Sequence, residues 1–113
     1  MKWMEMIRVR SSPQGVDAAK QYLAVHMPSF RAVKDVRDAA VLSHALYEGD
    51  LAVILTWEAK GAPAKTREGL FLANYFMQFG PVDHAIWTLA FDALGSCHEG
   101  LPRKESSEKE RSS

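Results

Sequence analysis

Residues 51–58, Leu-Ala-Val-Ile-Leu-Thr-Trp-Glu, form the stretch that decides the fold. Successive side chains of a β-strand point to opposite faces of its sheet. One face of this strand would carry Leu51, Val53, Leu55 and Trp57, and the other would carry Ala52, Ile54 and Thr56. Both sets are predominantly apolar, which predicts a strand with a burial partner on each side.

The same run is the second arm of a predicted β-hairpin. Residues 39–47 are strand-like, and residues 48–50, Glu-Gly-Asp, form a turn whose glycine can adopt a positive φ. His44 lies in the first arm, in an otherwise apolar row. A two-residue loop would place it on the face of Trp57, and a three-residue loop would place it on the face of Ile54.

The elements around the hairpin are predicted from periodicity and from glycine and proline positions. Residues 3–10 alternate as a strand, and a helix begins after the N-cap Ser12 and runs with helical spacing until Pro28. Residues 64–79 form a second helix, apolar over most of its circumference, and residues 82–91 form a last strand. The order βαββαβ predicts an α+β, ferredoxin-like domain with a four-stranded antiparallel sheet.

The length and composition of the chain limit the number of domains and the classes of partner. The 113 residues, 47% of them hydrophobic, suffice for one compact domain, which we expect over residues 1–94, followed by a mobile charged tail over 95–113. The chain has 14 Lys and Arg against 14 Asp and Glu, so nucleic acid is not an expected partner. No apolar run approaches the length of a membrane span, and the single Cys97 fits a reducing cytoplasmic setting.

Two helices can cover only one face of a four-stranded sheet, yet the third and fourth predicted strands are apolar on both faces. The simplest cover for the second face is another copy of the chain related by a two-fold axis. We therefore expect a homodimer with its two sheets face to face.

The βαββαβ order, the short length, the doubly apolar strands and the segment Leu55-Thr56-Trp57-Glu58 leading into a helix resemble the dimeric α/β-barrel superfamily of ferredoxin-like proteins. Within it the chain is most similar to the antibiotic-biosynthesis-monooxygenase-like group. The resemblance implies a dimeric α/β barrel, and the superfamily includes cofactor-independent monooxygenases acting on polycyclic phenols, haem-degrading enzymes, isomerases and small-molecule sensors. Haem-degrading members need a helix histidine, and residues 64–79 contain none.

Five residues are candidates for a site between sheet and helices. His44 would be the acid–base group, and Asn74 would hold an oxyanion or oxygen. The substrate would be bound by Trp57, Trp87 and Tyr75, with both tryptophans facing inward. Four of them also have an ordinary structural role: core or interface packing for the two tryptophans, a hydrogen-bonded interface position for His44, and a solvent-facing position for Asn74.

Two further groups are secondary candidates. An inward Glu5 would need a partner or a proton, because a carboxylate is costly to bury alone. His84 follows Asp83, but adjacent strand residues point to opposite faces, so a strand-edge or surface histidine is the expected role. The histidines have no metal-site spacing, and the chain has no glycine-rich phosphate loop, so neither a metal nor a nucleotide cofactor is predicted.

Two functions follow from these features. The first is a cofactor-independent, monooxygenase-like enzyme that acts on an apolar or aromatic small molecule. The second is a non-catalytic, small-molecule-binding or structural homodimer, in which the same aromatic residues only fill the barrel and the interface.

Overall fold

The computed structural model describes residues 1–90. Its elements are β1 (Lys2–Arg10), α1 (Pro13–Arg31), β2 (Val36–Ser43), β3 (Asp50–Glu58), α2 (Arg67–Phe76) and β4 (Val82–Thr88). The strands form one antiparallel sheet in the order β2-β3-β1-β4. This is the predicted βαββαβ, ferredoxin-like α+β fold. The expected domain end at residue 94 and the expected tail lie outside the described residues.

Both helices pack on the same side of the sheet. We call that side the covered face; it carries Trp3, Glu5, Ile7 and Val9 of β1, Leu51, Val53, Leu55 and Trp57 of β3, and the even-numbered residues of β4. The β1 and β3 members are buried against apolar side chains of the helices, which include Val16, Leu23, Leu72 and Phe76. The alternation predicted for residues 51–58 is therefore confirmed, and the hydrophobic core lies between this face and the helices.

The opposite side, the open face, has no helix on it within residues 1–90. Its apolar residues are Met4, Met6, Ile54, Ala85 and Trp87, with Leu42 farther along the edge strand β2. Trp87 is 55% exposed and Leu42 is 45% exposed. A shallow apolar depression of about 290 Å³ lies on this face beside Met4, Ile54 and Trp87.

Several element boundaries differ from the expected ones, including the end of β4, which is Thr88 and not residue 91. Helix α1 continues through Pro28 to Arg31, because Phe30 in this extra turn is buried in the core and contacts Phe71. Strand β2 ends at Ser43, so residues 44–49 form a longer hairpin loop. Helix α2 is shorter than residues 64–79, and its Phe71 is 53% exposed, so the expected burial on more than one side is not found in the described chain.

The described part of the chain, residues 1–90, contains no helix that is both long and apolar enough to cross a membrane.

Candidate functional site

A completely buried carboxylate lies at the centre of the covered face. Glu5 is 0% exposed, and its two oxygens receive four hydrogen bonds. Oε1 accepts from Trp57 Nε1 at 3.1 Å and from Thr66 Oγ1 at 2.6 Å. Oε2 accepts from the backbone N–H of Thr66 at 3.0 Å and lies 2.6 Å from His84 Nε2. We call Glu5, Trp57, Thr66 and His84 the Glu5 cluster.

The sheet register brings two of the partners to Glu5. On β1, Glu5 lies opposite Leu55 of β3 and Ile86 of β4. Trp57 and His84 are each two residues from those positions, so both are diagonal neighbours of Glu5 on the same face. Diagonal pairs in an antiparallel sheet are about 7–8 Å apart at Cα, within reach of long and aromatic side chains.

The third partner comes from the start of helix α2. Thr66 is the N-cap, and its hydroxyl also accepts a hydrogen bond from Gly69 N at 2.9 Å. The Glu5 carboxylate thus sits at the helix N-terminus, where the helix dipole favours negative charge. It accepts hydrogen bonds from the backbone N–H and the hydroxyl of the N-cap residue Thr66, and so joins the helix to the sheet.

Gly69 makes this approach possible. A Cβ atom at this position would overlap the Glu5 carboxylate, with Oε2 the nearest atom. The glycine is therefore required by the close packing of the carboxylate on the first turn of α2.

The contact with Glu5 determines which ring nitrogen of His84 carries the proton when the imidazole is neutral. Its side chain is 7% exposed, and its Nε2 lies against Glu5 Oε2. When Glu5 is ionised, Nε2 must carry the proton of that short hydrogen bond, because a carboxylate only accepts. In the neutral imidazole, Nδ1 then carries a lone pair, which is the arrangement of a general base oriented by a carboxylate.

A second tryptophan adjoins the cluster. Trp3 stacks on Trp57 with ring centroids 5.7 Å apart and an interplanar angle of 18°. It is 5% exposed, and its indole N–H has no hydrogen-bond partner within residues 1–90. Trp3 thus brings an unused donor to the same face as Glu5 and His84.

Of the five candidate residues, only Trp57 belongs to the Glu5 cluster. Trp87 was expected to face inward with Trp57, and this is corrected by the register: Trp87 pairs with Met4 and lies on the open face. Odd-numbered residues of β3, such as Trp57, pair with odd-numbered residues of β1 and lie on the covered face. Odd-numbered residues of β4, such as Trp87, pair with even-numbered residues of β1 and lie on the open face.

His44 lies outside β2, in the exposed hairpin loop. Its Nδ1 accepts the backbone N–H groups of Leu46 at 3.0 Å and of Tyr47 at 3.2 Å, so its side chain stabilises the loop. It lines a polar groove of about 770 Å³ with Arg8, Arg10 and Tyr47 at the end of the sheet. The predicted position of His44 inside a strand is therefore wrong, and the structure does not bring it to the Glu5 cluster.

The two helix candidates also lie apart from the cluster. Asn74 is exposed on α2. Tyr75 is half-buried and stacks on Tyr22 of α1 with ring centroids 3.9 Å apart. Burial, and secondarily the nearby Tyr22, raises the pKa of the Tyr75 phenol above its ordinary value. This residue joins the two helices to each other.

Sequence reasoning identified Glu5 as a group that would need a partner, but it did not identify Thr66, Gly69 or the role of His84. Thr66 has a side chain typical of an N-cap, but the same spacing, Ser12-x-x-Gly15, begins helix α1 without a buried carboxylate, so no local pattern marked the approach of Glu5. Within residues 1–90 no group of three or more His, Cys, Asp or Glu side chains could hold a metal ion.

Comparisons with known proteins identify the fold. Rv0793 from Mycobacterium tuberculosis matches with a TM-score of 0.63 and 14% identity, over 82% of this chain and 99% of its own. A mutant of SnoaB, a cofactor-independent oxygenase from Streptomyces nogalater, matches with a TM-score of 0.57 and 12% identity, over 81% of this chain and 96% of its own. No family model and no curated protein matches the sequence.

At these identities the likeness concerns the fold alone. It confirms the predicted ferredoxin-like α+β fold.

Proposed function

We propose that this chain is a cofactor-independent, monooxygenase-like enzyme that acts on an aromatic small molecule, with His84 as its general base. The Glu5–His84 contact carries the proposal: a fully buried carboxylate lies 2.6 Å from the imidazole. The fold shared with an oxygenase favours this reaction class. We therefore propose His84, on the covered face, for the acid–base role that the sequence predicted for His44.

The proposed reaction converts a phenol with a free para position and O₂ into a para-quinone and water. His84 Nδ1 takes the hydroxyl proton, and the Glu5 carboxylate compensates the positive charge of the resulting imidazolium. The phenolate passes one electron to O₂, and the two radicals join through a new C–O bond at the para carbon. The imidazolium first returns its proton to the outer peroxide oxygen. His84 Nδ1 then takes the para C–H proton as the O–O bond breaks and passes it to the departing hydroxide, which leaves as water.

The electron balance of this reaction requires no cofactor. Oxidation of the phenol to the quinone releases four electrons, and reduction of O₂ to one quinone oxygen and one water consumes four. Trp57 would serve as an apolar wall as well as a donor to Glu5, and exclusion of water by the surrounding core would favour electron transfer from the phenolate.

We also propose that the functional unit is a homodimer formed through the open face. Met4, Met6 and Ile54 form an apolar patch on that face, with Arg8 and Arg10 farther along β1. Asp38 and Asp83 lie on the edge strands β2 and β4. An apolar centre with a charged rim is typical of an interface, and the register pair Arg8 and Asp83 gives one patch both charge signs, as a two-fold contact requires. Native mass spectrometry of the full chain should give twice 12.6 kDa; a monomer at micromolar concentration would contradict this assembly.

A non-catalytic function is the second candidate. Glu5 satisfies the N-terminus of α2 and joins the helix to the sheet, which is a complete structural role in itself. In this case His84 would only supply the fourth hydrogen bond.

Oxygen uptake separates the two candidates. We expect the purified chain to consume O₂ with at least one member of a panel of phenols such as α-naphthol. His84→Gln should lower kcat by about 10²–10⁴-fold, the usual contribution of a general base. His44→Gln is the matched control, because that imidazole is exposed in the loop. No uptake with any phenol, or equal rates for His84→Gln and the unmodified chain, would favour the non-catalytic function.

A further inference from the structure

Two of the four contacts of the Glu5 carboxylate come from groups that can only donate. Trp57 Nε1–H donates to Oε1 at 3.1 Å, and the backbone N–H of Thr66 donates to Oε2 at 3.0 Å. Neither an indole N–H nor a backbone N–H accepts a hydrogen bond. The other two contacts, with the Thr66 hydroxyl and the His84 imidazole, therefore decide where the remaining protons lie.

The first turn of α2 fixes the direction of the Thr66 hydroxyl. The backbone N–H of Gly69 donates to Thr66 Oγ1 at 2.9 Å, and Oγ1 lies 2.6 Å from Glu5 Oε1. Because an ionised carboxylate can only accept, the hydroxyl proton points at Oε1. The two bonds form a chain from the helix backbone through Thr66 to Glu5, and in such a chain each hydrogen bond polarises and strengthens the next.

The last proton of the cluster lies in the 2.6 Å contact between Glu5 Oε2 and His84 Nε2. Glu5 and His84 compete for this proton out of reach of solvent, since both side chains are buried. Hydrogen bonds to the charged form of a carboxylate favour that form over the protonated one. The donors on Glu5 therefore keep the proton on His84, and the Thr66 hydroxyl supplies the shorter of the two bonds to Oε1.

We infer that Thr66 is a positioning residue that acts through Glu5: its hydroxyl keeps the shared proton on His84 Nε2 and so keeps the lone pair on Nδ1. Helix α2 thereby controls the protonation of a histidine on β4. The inference rests on the proposed function for the catalytic use of His84, whereas the chain of hydrogen bonds from Gly69 to His84 is independent of any reaction.

The test follows the resonance of the His84 Nε2 proton in the full-length, nitrogen-15-labelled protein. Thr66→Val removes the hydroxyl and keeps the shape of the side chain. Glu5 then accepts one hydrogen bond fewer and attracts the His84 proton more strongly, so we expect this resonance to move downfield. Thr66→Ser restores the hydroxyl and should return the resonance to near its wild-type position.

Ser12→Ala is the matched control. Ser12 is the N-cap of α1, and its hydroxyl accepts from Gly15 N at 3.1 Å, but this side chain is exposed. Ser12→Ala and Thr66→Val each remove one N-cap hydroxyl, so they should lower stability to a similar extent. Only Thr66→Val should move the His84 resonance.

The wild-type protein decides the outcome if Thr66→Val does not fold. A hydroxyl proton that is held by a buried carboxylate is protected from exchange with water. The Thr66 hydroxyl proton should therefore give its own resonance at low temperature, and its absence would overturn the inference.

Two results with the folded variants would also overturn the inference. The first is a His84 Nε2 proton resonance that moves upfield in Thr66→Val, or moves no further than in Ser12→Ala. The second is a downfield shift in Thr66→Val that persists unchanged in Thr66→Ser, which would show that the hydroxyl is not its cause.

Failure of the proposed function is distinguishable from failure of this inference. If the chain consumes O₂, kcat should fall about tenfold in Thr66→Val, the effect of one hydrogen bond to a charged group, with KM unchanged. The expected resonance shift without oxygen uptake would retain the role of Thr66 and remove the reaction. Oxygen uptake without the resonance shift would retain the reaction and remove the role of Thr66.

Discussion

The two faces of the sheet carry similar side chains in different environments. On the covered face Trp57 is 6% exposed and donates to Glu5, whereas Trp87 on the open face is 55% exposed. The covered face also holds a carboxylate with four hydrogen-bond partners, while the charged residues of the open face lie towards its ends. The difference shows that the position of the two helices, and not residue type, decides which aromatic residue adjoins the polar cluster.

The largest expected effect comes from neutralising the buried carboxylate. Glu5→Gln replaces a carboxylate, which only accepts hydrogen bonds, by an amide. The amide NH₂ is a donor and would face the donors of the Glu5 cluster, with which it cannot form hydrogen bonds. Breaking a buried charged pair costs about 3–5 kcal/mol, and we expect a loss of about 4 kcal/mol in the free energy of unfolding, measured with urea. Lys2→Gln, at the exposed start of the same strand and on its open face, is the control and should change it by less than about 0.5 kcal/mol. Equal losses in both variants would show that the two faces do not differ in this way.

The open face is tested by placing a charge at its centre. Trp87→Glu should weaken the dimer at least about a hundredfold, since large aromatic residues dominate interface energies and a two-fold axis brings the two new charges together. Sedimentation measures the change. Leu70→Glu is the control, because Leu70 is 51% exposed on α2 and lies away from the open face. A Trp87→Glu protein that dimerises as tightly as the Leu70→Glu protein would place the interface elsewhere.

Matched glycines at the two helix starts sharpen the comparison. Gly69 and Gly15 each lie three residues after an N-cap, Thr66 and Ser12. Gly69→Ala should destabilise the fold by about 2 kcal/mol, since its Cβ meets the buried Glu5 carboxylate and overpacking costs about 1–3 kcal/mol. Gly15→Ala meets mainly the Ser11 hydroxyl, which can rotate away, with Ser11 Cβ and Ser12 Oγ farther off, and should change stability by less than about 0.5 kcal/mol. Stability is measured by thermal and urea unfolding. Unchanged stability in both variants would contradict the close approach of Glu5 to Gly69.

The smallest effect concerns the contact between the helices. The pKa of Tyr75 is raised in the folded state, so the folded chain retains this proton when the unfolded chain begins to lose it. The contribution is complete below the ordinary tyrosine pKa of about 10 and is lost as pH rises above it. Unfolding free energy should therefore fall more steeply above pH 10 in the wild type than in Tyr75→Phe. If the unfolding free energies of the wild type and Tyr75→Phe changed in parallel with pH, Tyr75 would make no such contribution.

The fold was predictable because local patterns specify it. The alternation in residues 51–58, the N-cap Ser12 and the two helical runs were sufficient for the βαββαβ order, which the structure confirms. Boundaries failed where distant packing decided them: Phe30 extends α1 past Pro28 because it is buried in the core. His44 was misplaced because its side chain stabilises a loop that resembles a strand in composition.

The candidate site was less predictable because its contacts are distant in sequence. Glu5 and His84 are 79 residues apart and meet only through the register of β4 on β1. Alternation within one strand correctly separated His84 from Asp83, but it could not show which face of β4 shares the side of Glu5. The same missing register led to the wrong face for Trp87.

The most direct test of the central claim is the protonation state of the His84 nitrogens, measured by long-range proton–nitrogen correlation at pH 8 in the full-length protein. Glu5 should hold His84 with its proton on Nε2 and a lone pair on Nδ1, and Glu5→Gln should abolish that preference. A proton on Nδ1 of His84 in the unmodified protein would contradict its assignment as a base oriented by Glu5.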